Sequence, residues 1–180
     1  MNSVICLSGG IASGKTTLAG AIATRLGVPH ASFGRFVRAT AGERQIPEER
    51  ENLQTLGEVL IAELGWEGFC RAVLNDGGWQ PGAAIVVDGV RHVIALATIR
   101  QIVQPGAAKL IFVDVPLQIR EARIEEKRHQ EATTLAKADA HATEKDVHGS
   151  LRSMADLVLD GTRELTSLVD EVQARIGIPS

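Results

Sequence analysis

A parallel α/β fold, with five strands flanked by helices, is predicted for these 180 residues by three observations. Short apolar runs alternate with segments of helical periodicity, the pattern of strand-helix units that align strands in one direction. Several of the runs are apolar almost throughout, as strands buried on both faces must be. A glycine-rich turn joins the first run directly to the first helical segment.

The first strand covers residues 4–8, Val4-Ile5-Cys6-Leu7-Ser8, and runs into Gly9-Gly10-Ile11-Ala12-Ser13-Gly14-Lys15-Thr16-Thr17. The spacing is that of a complete P-loop. Glycines at its two ends let the backbone wrap a phosphate so that successive N–H groups point inward, while a lysine reaches the β- and γ-phosphates and a hydroxyl ligates Mg2+. Residues 17–26 then read as a helix with Leu18, Ile22 and Leu26 on one side, stopped by Gly27 and Pro29. Phosphates held by the loop would sit at a helix N-terminus, where the macrodipole favours anions.

The remaining elements follow in order. A short strand is predicted near residues 30–33, then a helix over 50–64 with Leu53, Leu56, Leu60 and Leu64 on one face, and another over 67–74 before the turn Asn75-Asp76-Gly77-Gly78. The third strand is 84–88, followed by a helix over 92–103, a fourth strand over 109–115 and a helix over 117–128. A fifth strand at 155–159 leads to a closing helix over 162–176, with Leu165, Leu168, Val169, Val172 and Ile176 inward. Repeats and low-complexity linkers are absent, so residues 1–180 read as one domain with inserted subregions.

Composition narrows the partners. An apolar fraction of 44% with 23% charged residues is that of an ordinary globular chain. A net charge of −3 gives no global basic field, which argues against a nucleic-acid partner. Two tryptophans, four phenylalanines and no tyrosine supply no exposed stacking platform, and core packing is the expected role of Phe33, Phe36 and Trp66. Cys6 and Cys70 form neither a metal pattern nor a disulfide framework and are expected to be reduced thiols. No signal-peptide layout and no membrane-length apolar run are present, so the expected compartment is the cytoplasm.

Asp88 ends the apolar run Ala84-Ile85-Val86-Val87, the place from which a carboxylate can face a phosphate-bound Mg2+. It could hold a metal-bound water, accept a proton from the phosphoryl acceptor, or merely open the turn with Gly89. Arg91, three residues on, is placed to bind an acceptor phosphate. Asp114, at the next strand end, could cap the following helix or steer its arginines. On that helix Arg120 and Arg123 share a face, while Glu121, Glu125 and Glu126 could neutralise neighbours. With the polar stretch 130–149 behind it, this basic helix reads as the root of a lid whose arginines would stabilise charge on a transferring phosphoryl group.

In the order of P-loop, acceptor helices, Asp88-Gly89-Val90-Arg91, Val113-Asp114-Val115-Pro116 and arginine-rich lid, the chain resembles the nucleoside monophosphate kinase group of P-loop kinases. Within that group it looks most like dephospho-CoA kinases and the adenylate-kinase-related proteins that go by the name AAA-family ATPases. The resemblance spans nearly the whole chain and implies a P-loop NTPase fold with a helical acceptor-binding region at about 33–75 and a lid at about 117–150. It implies acceptor contacts from Arg35, Arg38 and Gln54, within Ser32-Phe33-Gly34-Arg35-Phe36-Val37-Arg38 and Arg50-Glu51-Asn52-Leu53-Gln54. It also places the loop Asp160-Gly161-Thr162 against the adenine, although a strand-to-helix turn with Thr162 as N-cap is equally consistent.

The chain departs from the group where relatives often carry an Asp after the second strand. Here Ser32 and Arg35 stand in that segment, with no carboxylate until Glu43, which leaves Asp88 as the acid nearest the acceptor. The lid is longer and richer in alanine, with Asp139, His141 and Glu144, and the last two suggest a capping or hinge role rather than a metal site.

The function expected from sequence is transfer of the γ-phosphoryl group of ATP, with Mg2+, to a small acceptor, a nucleotide or nucleotide-like metabolite. Gly9, Gly10, Ile11, Ala12, Ser13, Gly14, Lys15, Thr16 and Thr17, with Arg120 and Gly161, would bind the nucleotide, and Thr16 and Asp88 the metal. Lys15, Asp88, Arg120 and Arg123, joined by Arg128, would act in catalysis, and Arg35, Arg38, Gln54 and Arg91 on the acceptor. The alternative is a nucleotide-switch ATPase that regulates a protein or nucleic-acid partner, and it would need an exposed surface rather than convergent arginines.

Overall fold

The first apolar run forms β1 (Ser3–Gly9) in a computed structural model that describes residues 3–127 and 147–176. The sheet is parallel throughout, with the strand order β2 (His30–Ser32), β3 (Ile85–Asp88), β1, β4 (Ala107–Asp114) and β5 (Leu157–Asp160). Because side chains alternate along a strand, β1 feeds two cores. Ile5 and Leu7 join residues of α1 (Lys15–Leu26) and α6 (Leu165–Ile176) on one face. Val4 and Cys6 join residues of α3 (Arg50–Asp76) and α4 (Val93–Ile102) on the other. Each strand of this kind is buried on both sides, which is why β1 and β3 read as near-continuous apolar runs.

The topology fixes where a ligand can lie. From β1 the chain crosses to β2 on one side, and from β3 it crosses back over β1 to β4 on the other. The reversal leaves a crevice at the carboxyl ends of β1 and β3, and Gly9 and Asp88 stand there. α1 begins at that end of the sheet. Gly14, left-handed at φ 84°, precedes its first residue, and Gly27 closes it at φ 62°.

Several expected boundaries are corrected. The helices expected at 50–64 and 67–74 are one element, α3, bent at Gly65, whose φ of 67° and ψ of 169° no helix accommodates. The bend turns Leu64 outward, 46% exposed, while Leu56 and Leu60 stay buried. Phe33 is not the end of a strand but the start of a helix, α2 (Phe33–Glu43), capped by the Ser32 hydroxyl, which accepts the Arg35 N–H. The closing helix starts at Leu165, so Thr162 is not its N-cap. Its N–H and hydroxyl both donate to Asp160 Oδ1, holding a turn ahead of the helix. Leu165 is exposed, whereas Leu168, Val169 and Val172 are buried as expected. Residues 155 and 156 precede β5, and the Asp156 carboxylate takes the Leu110 N–H at 2.8 Å, fixing β5 beside β4.

Both cysteines are free and buried, and burial pushes each thiol up to about 12, which makes them inert core residues. Phe33 and Phe36 pack on Phe69, with ring centroids 5.4 and 6.0 Å away, and Trp66 packs against His92. Among the described residues no helix is long and apolar enough to cross a membrane. Arg128, Asp139, His141 and Glu144 lie outside the described residues.

Candidate nucleotide site

The loop from Gly9 to Thr17 is held by steric necessity. At Gly9, φ is 151° and an added Cβ would stand 2.6 Å from the Val113 carbonyl oxygen, so β4 admits only glycine there. Ala12 is left-handed at φ 59°, and the Ser13 N–H closes a turn on the Gly10 carbonyl. Thr16 and Thr17 are open to solvent at the start of α1, while Lys15 is only 8% exposed.

Lys15 folds back so that Nζ donates to the Gly10 carbonyl at 3.1 Å. Its pKa is lowered to about 7, chiefly by burial and next by the charge of Arg91, with Arg120 and Arg50 adding to the effect and Asp88 opposing it. A cation crowded by three other cations in a buried loop is a seat for a polyanion.

Asp88, 3% exposed, reaches that loop across the sheet. The Thr16 hydroxyl donates to its Oδ2 at 2.7 Å, while Oδ1 is buried with no hydrogen-bond partner. A threonine hydroxyl beside a carboxylate at the mouth of a phosphate loop is the oxygen donor set that suits Mg2+, and the orphaned Oδ1 fits a metal-bound water. Thr16 and Asp88 therefore fit the expected metal. Ser32 pairs in register with Asp88 and projects from the same face of the sheet. The position beside the acid thus carries a hydroxyl that is already used as the cap of α2.

The two arginines of α5 (Leu117–Lys127) lie on the back of the loop. Arg120, 4% exposed, donates to the Val115 carbonyl and to the Ile11 carbonyl at 3.2 and 3.3 Å. Arg123 donates to the carbonyls of Ala12 and Ser13, and to Gly161 at 2.9 Å. Gly161 also packs closely. Its N–H donates to the Asp114 carbonyl, and an added Cβ would fall 2.6 Å from Val113 and Val115 side-chain carbons. The Gly161 loop and the phosphate loop are thus joined through Arg123. The Asp114 carboxylate takes Nε and Nη2 of Arg152 at 3.1 and 2.9 Å, joining the end of β4 to the segment ahead of β5.

On the acceptor side the structure separates residues that the sequence grouped. Arg35 turns away from Asp88, donating to the His30 carbonyl at 2.9 Å and facing Asp76 at 3.5 Å. Arg38 lies back along α2, with Nη1 3.4 Å from where a Cβ on Gly34 would stand, and Gly34 itself adjoins Gly89. The Arg38 side chain is exposed on α2. Gln54 is half-buried one helical turn after Arg50 on α3, and Arg91 is half-buried ahead of α4. Sequence reasoning gave Arg50 no role of its own, yet its charge reaches Lys15. Its position at the first turn of α3 was the available signal. Arg152 was missed altogether, since nothing local marks it.

Residues 8–139 match the profile of a family described as AAA domain. A search of curated proteins returned no match. Among solved structures, the chain is similar to shikimate kinase from Aquifex aeolicus, at 19% identity over 97% of this chain and 96% of that one, with a TM-score of 0.60. It is similar to a gluconokinase from Sinorhizobium meliloti at 16% identity over 97% and 91%, with a TM-score of 0.63. It is also similar to Acinetobacter baumannii shikimate kinase in complex with shikimate, at 13% identity over 98% and 94%, with a TM-score of 0.59. These likenesses establish a shared fold.

Proposed function

The chain belongs to the AAA domain family, and on that premise we propose that it is a cytoplasmic single-domain P-loop kinase that moves the γ-phosphoryl group of ATP to a small acceptor, a nucleotide or nucleotide-like metabolite. The observation that carries this reading is the Thr16 to Asp88 hydrogen bond at the mouth of a loop whose lysine is crowded by Arg50, Arg91 and Arg120. Similarity in fold to shikimate kinase and gluconokinase supports the same reaction class.

In this account the amides of Gly10 to Thr17 and the Lys15 ammonium bind the β- and γ-phosphates. Thr16 and Asp88 hold Mg2+, which when bound supplies positive charge to those phosphates. Arg120 fixes the Ile11 carbonyl and adds charge behind the loop, and Arg123 couples the loop to Gly161, where the adenine would lie. Arg38, Gln54 and Arg91, with Arg50, bind the acceptor over Gly89. Phosphoryl transfer is catalysed mostly by positioning and by stabilised charge, and these residues supply both.

The test is ADP release from Mg·ATP across a panel of acceptors, in the wild type and in Lys15→Ala, with mass spectrometry of the product. Strong stimulation by one acceptor and loss of about 10²–10³-fold in Lys15→Ala are expected. Wild-type transfer in Lys15→Ala would overturn the proposal. Tight ATP binding with slow, acceptor-independent turnover would establish the nucleotide switch instead.

A further inference from the structure

Ala12 holds a backbone conformation that its own side chain resists. Its φ of 59° lies in the left-handed region, which glycine enters freely and which disfavours a residue with a Cβ by about tenfold. Gly9 and Gly14, at the two ends of the same loop, also have positive φ and carry no such penalty. Among the described residues only Ala12 and Gln45 adopt positive φ without being glycine, and Gln45 is exposed in the turn after α2. A left-handed residue beside a right-handed one is what lets successive N–H groups converge on an anion, so the strained residue stands where the loop makes its concavity.

The restraint acts from behind, through carbonyls. Ile11 accepts from Arg120 Nη1 at 3.3 Å, and Ala12 and Ser13 accept from Arg123 Nη1 at 3.4 and 3.3 Å. In a planar trans peptide the N–H points opposite to the C=O, so drawing these carbonyls toward α5 turns the N–H groups of Ala12, Ser13 and Gly14 away from it. The guanidiniums are braced in turn. Arg120 also donates to the Val115 carbonyl, and Arg123 Nη2 donates to the Gly161 carbonyl at 2.9 Å, the shortest of its bonds to the backbone. Gly161 is pressed against the same peptides, since a Cβ on it would stand 3.3 Å from the Ser13 carbonyl oxygen. Arg123 thus pulls on Ala12 from a fixed point at the end of β5.

Resting on the reading of Gly9 to Thr17 as the ATP loop of a kinase, we propose that Arg123 is a positioning residue that keeps Ala12 left-handed before the nucleotide arrives. Its contribution lies in the population of the open loop, not in charge on the transferring phosphoryl group. Apparent affinity scales with the fraction of molecules in the binding-competent state, so without the restraint Ala12 relaxes and ATP binding weakens by about tenfold. A glycine at position 12 needs no restraint. The two residues are therefore coupled, and the loss of one is repaired by a change in the other.

The experiment is a double-mutant cycle on the full chain: wild type, Arg123→Ala, Ala12→Gly and the double variant. The dissociation constant of a non-hydrolysable ATP analogue with Mg2+ is measured by calorimetry, which requires no acceptor. Arg123→Ala is expected to weaken binding by about tenfold. Adding Ala12→Gly to it should recover at least about fivefold, while the same change beside an intact Arg123 has a smaller effect. Arg123→Lys carries the same cycle should Arg123→Ala fail to fold. It keeps the charge but lacks the planar fork, so its binding should fall between the two and also improve with glycine. Equal effects of glycine in both backgrounds, or wild-type binding in Arg123→Ala, would overturn the positioning role and leave the kinase reading standing. No binding of the analogue by the wild type would overturn both.

Discussion

In the donor half of the site, from Gly9 to Thr17 with Arg120, Arg123 and Gly161, the contacts that set the geometry run to backbone carbonyls across β1, β4 and the end of β5. In the proposed acceptor half, Arg38, Arg50, Gln54 and Arg91 come from α2, α3 and the loop ahead of α4. There α2 buries a single residue, Ala41. One half is built as part of the core, so it is formed before any ligand arrives. The other is a set of side chains on the rim, which can be exchanged without disturbing the sheet. Such a division lets one scaffold keep its nucleotide chemistry while its acceptor changes.

The comparison is open to attack from either side. The largest effect is expected for Asp88→Asn, which keeps the shape but removes the charge beside Thr16. Turnover should fall by about 10²–10³-fold, the scale of one lost electrostatic contact to the transition state, with the thermal midpoint little changed. Turnover within a factor of a few of wild type would detach Asp88 from the chemistry. Gly9→Ala comes next, because its methyl would meet the Val113 carbonyl at 2.6 Å. A stability loss of about 1–3 kcal/mol in denaturant unfolding is expected from overpacking, and an unaltered midpoint would show that the loop is not wedged against β4.

A smaller and more selective effect is expected on the rim. Arg38→Ala should raise the acceptor KM by about tenfold and leave the ATP KM unchanged, the loss of one charge-assisted contact. Arg35→Ala, whose partners are the His30 carbonyl and Asp76, should leave the acceptor KM within about twofold of wild type and cost well under about 1 kcal/mol. Equal effects in both variants would restore Arg35 to the acceptor contacts expected from the sequence.

The smallest effect is one of pH. Lys15 has a folded pKa of about 7 against 10.5 for the free side chain, so between these values the unfolded chain binds more protons than the folded one. Stability of the nucleotide-free protein should therefore rise with pH through that window. Thermal melts from pH 7 to pH 9 are expected to show a steeper rise in the wild type than in Lys15→Ala. Parallel slopes would mean that burial and the neighbouring arginines do not lower the Lys15 pKa.

The sequence revealed these halves unequally, and for a physical reason. The loop is a backbone device, and its glycines, lysine and threonine are adjacent in the chain, so the pattern is complete in one glance at residues 9–17. Strands buried on both faces likewise announce themselves as apolar runs. What stayed hidden depends on register and side-chain direction. The placing of Ser32 beside Asp88 follows from how β2 aligns with β3, which no local pattern encodes. Arg35 and Arg38 are alike in sequence, but Asp76, at the end of α3, draws one of them away. Arg152 meets Asp114 only because β4 and the segment ahead of β5 end up adjacent. Leu64 fits the helical period of its neighbours, and only the reversal at Gly65 turns it outward.

The most direct test of the division is a crystal structure with Mg2+ and a non-hydrolysable ATP analogue. The triphosphate is expected inside the Gly9 to Thr17 loop, with the metal on Thr16, a metal-bound water on Asp88, and Arg38 and Arg91 left facing open space beyond the γ-phosphate. A triphosphate bound elsewhere, or one that draws Arg38 and Arg91 onto its own phosphates, would contradict an acceptor half separate from the donor half.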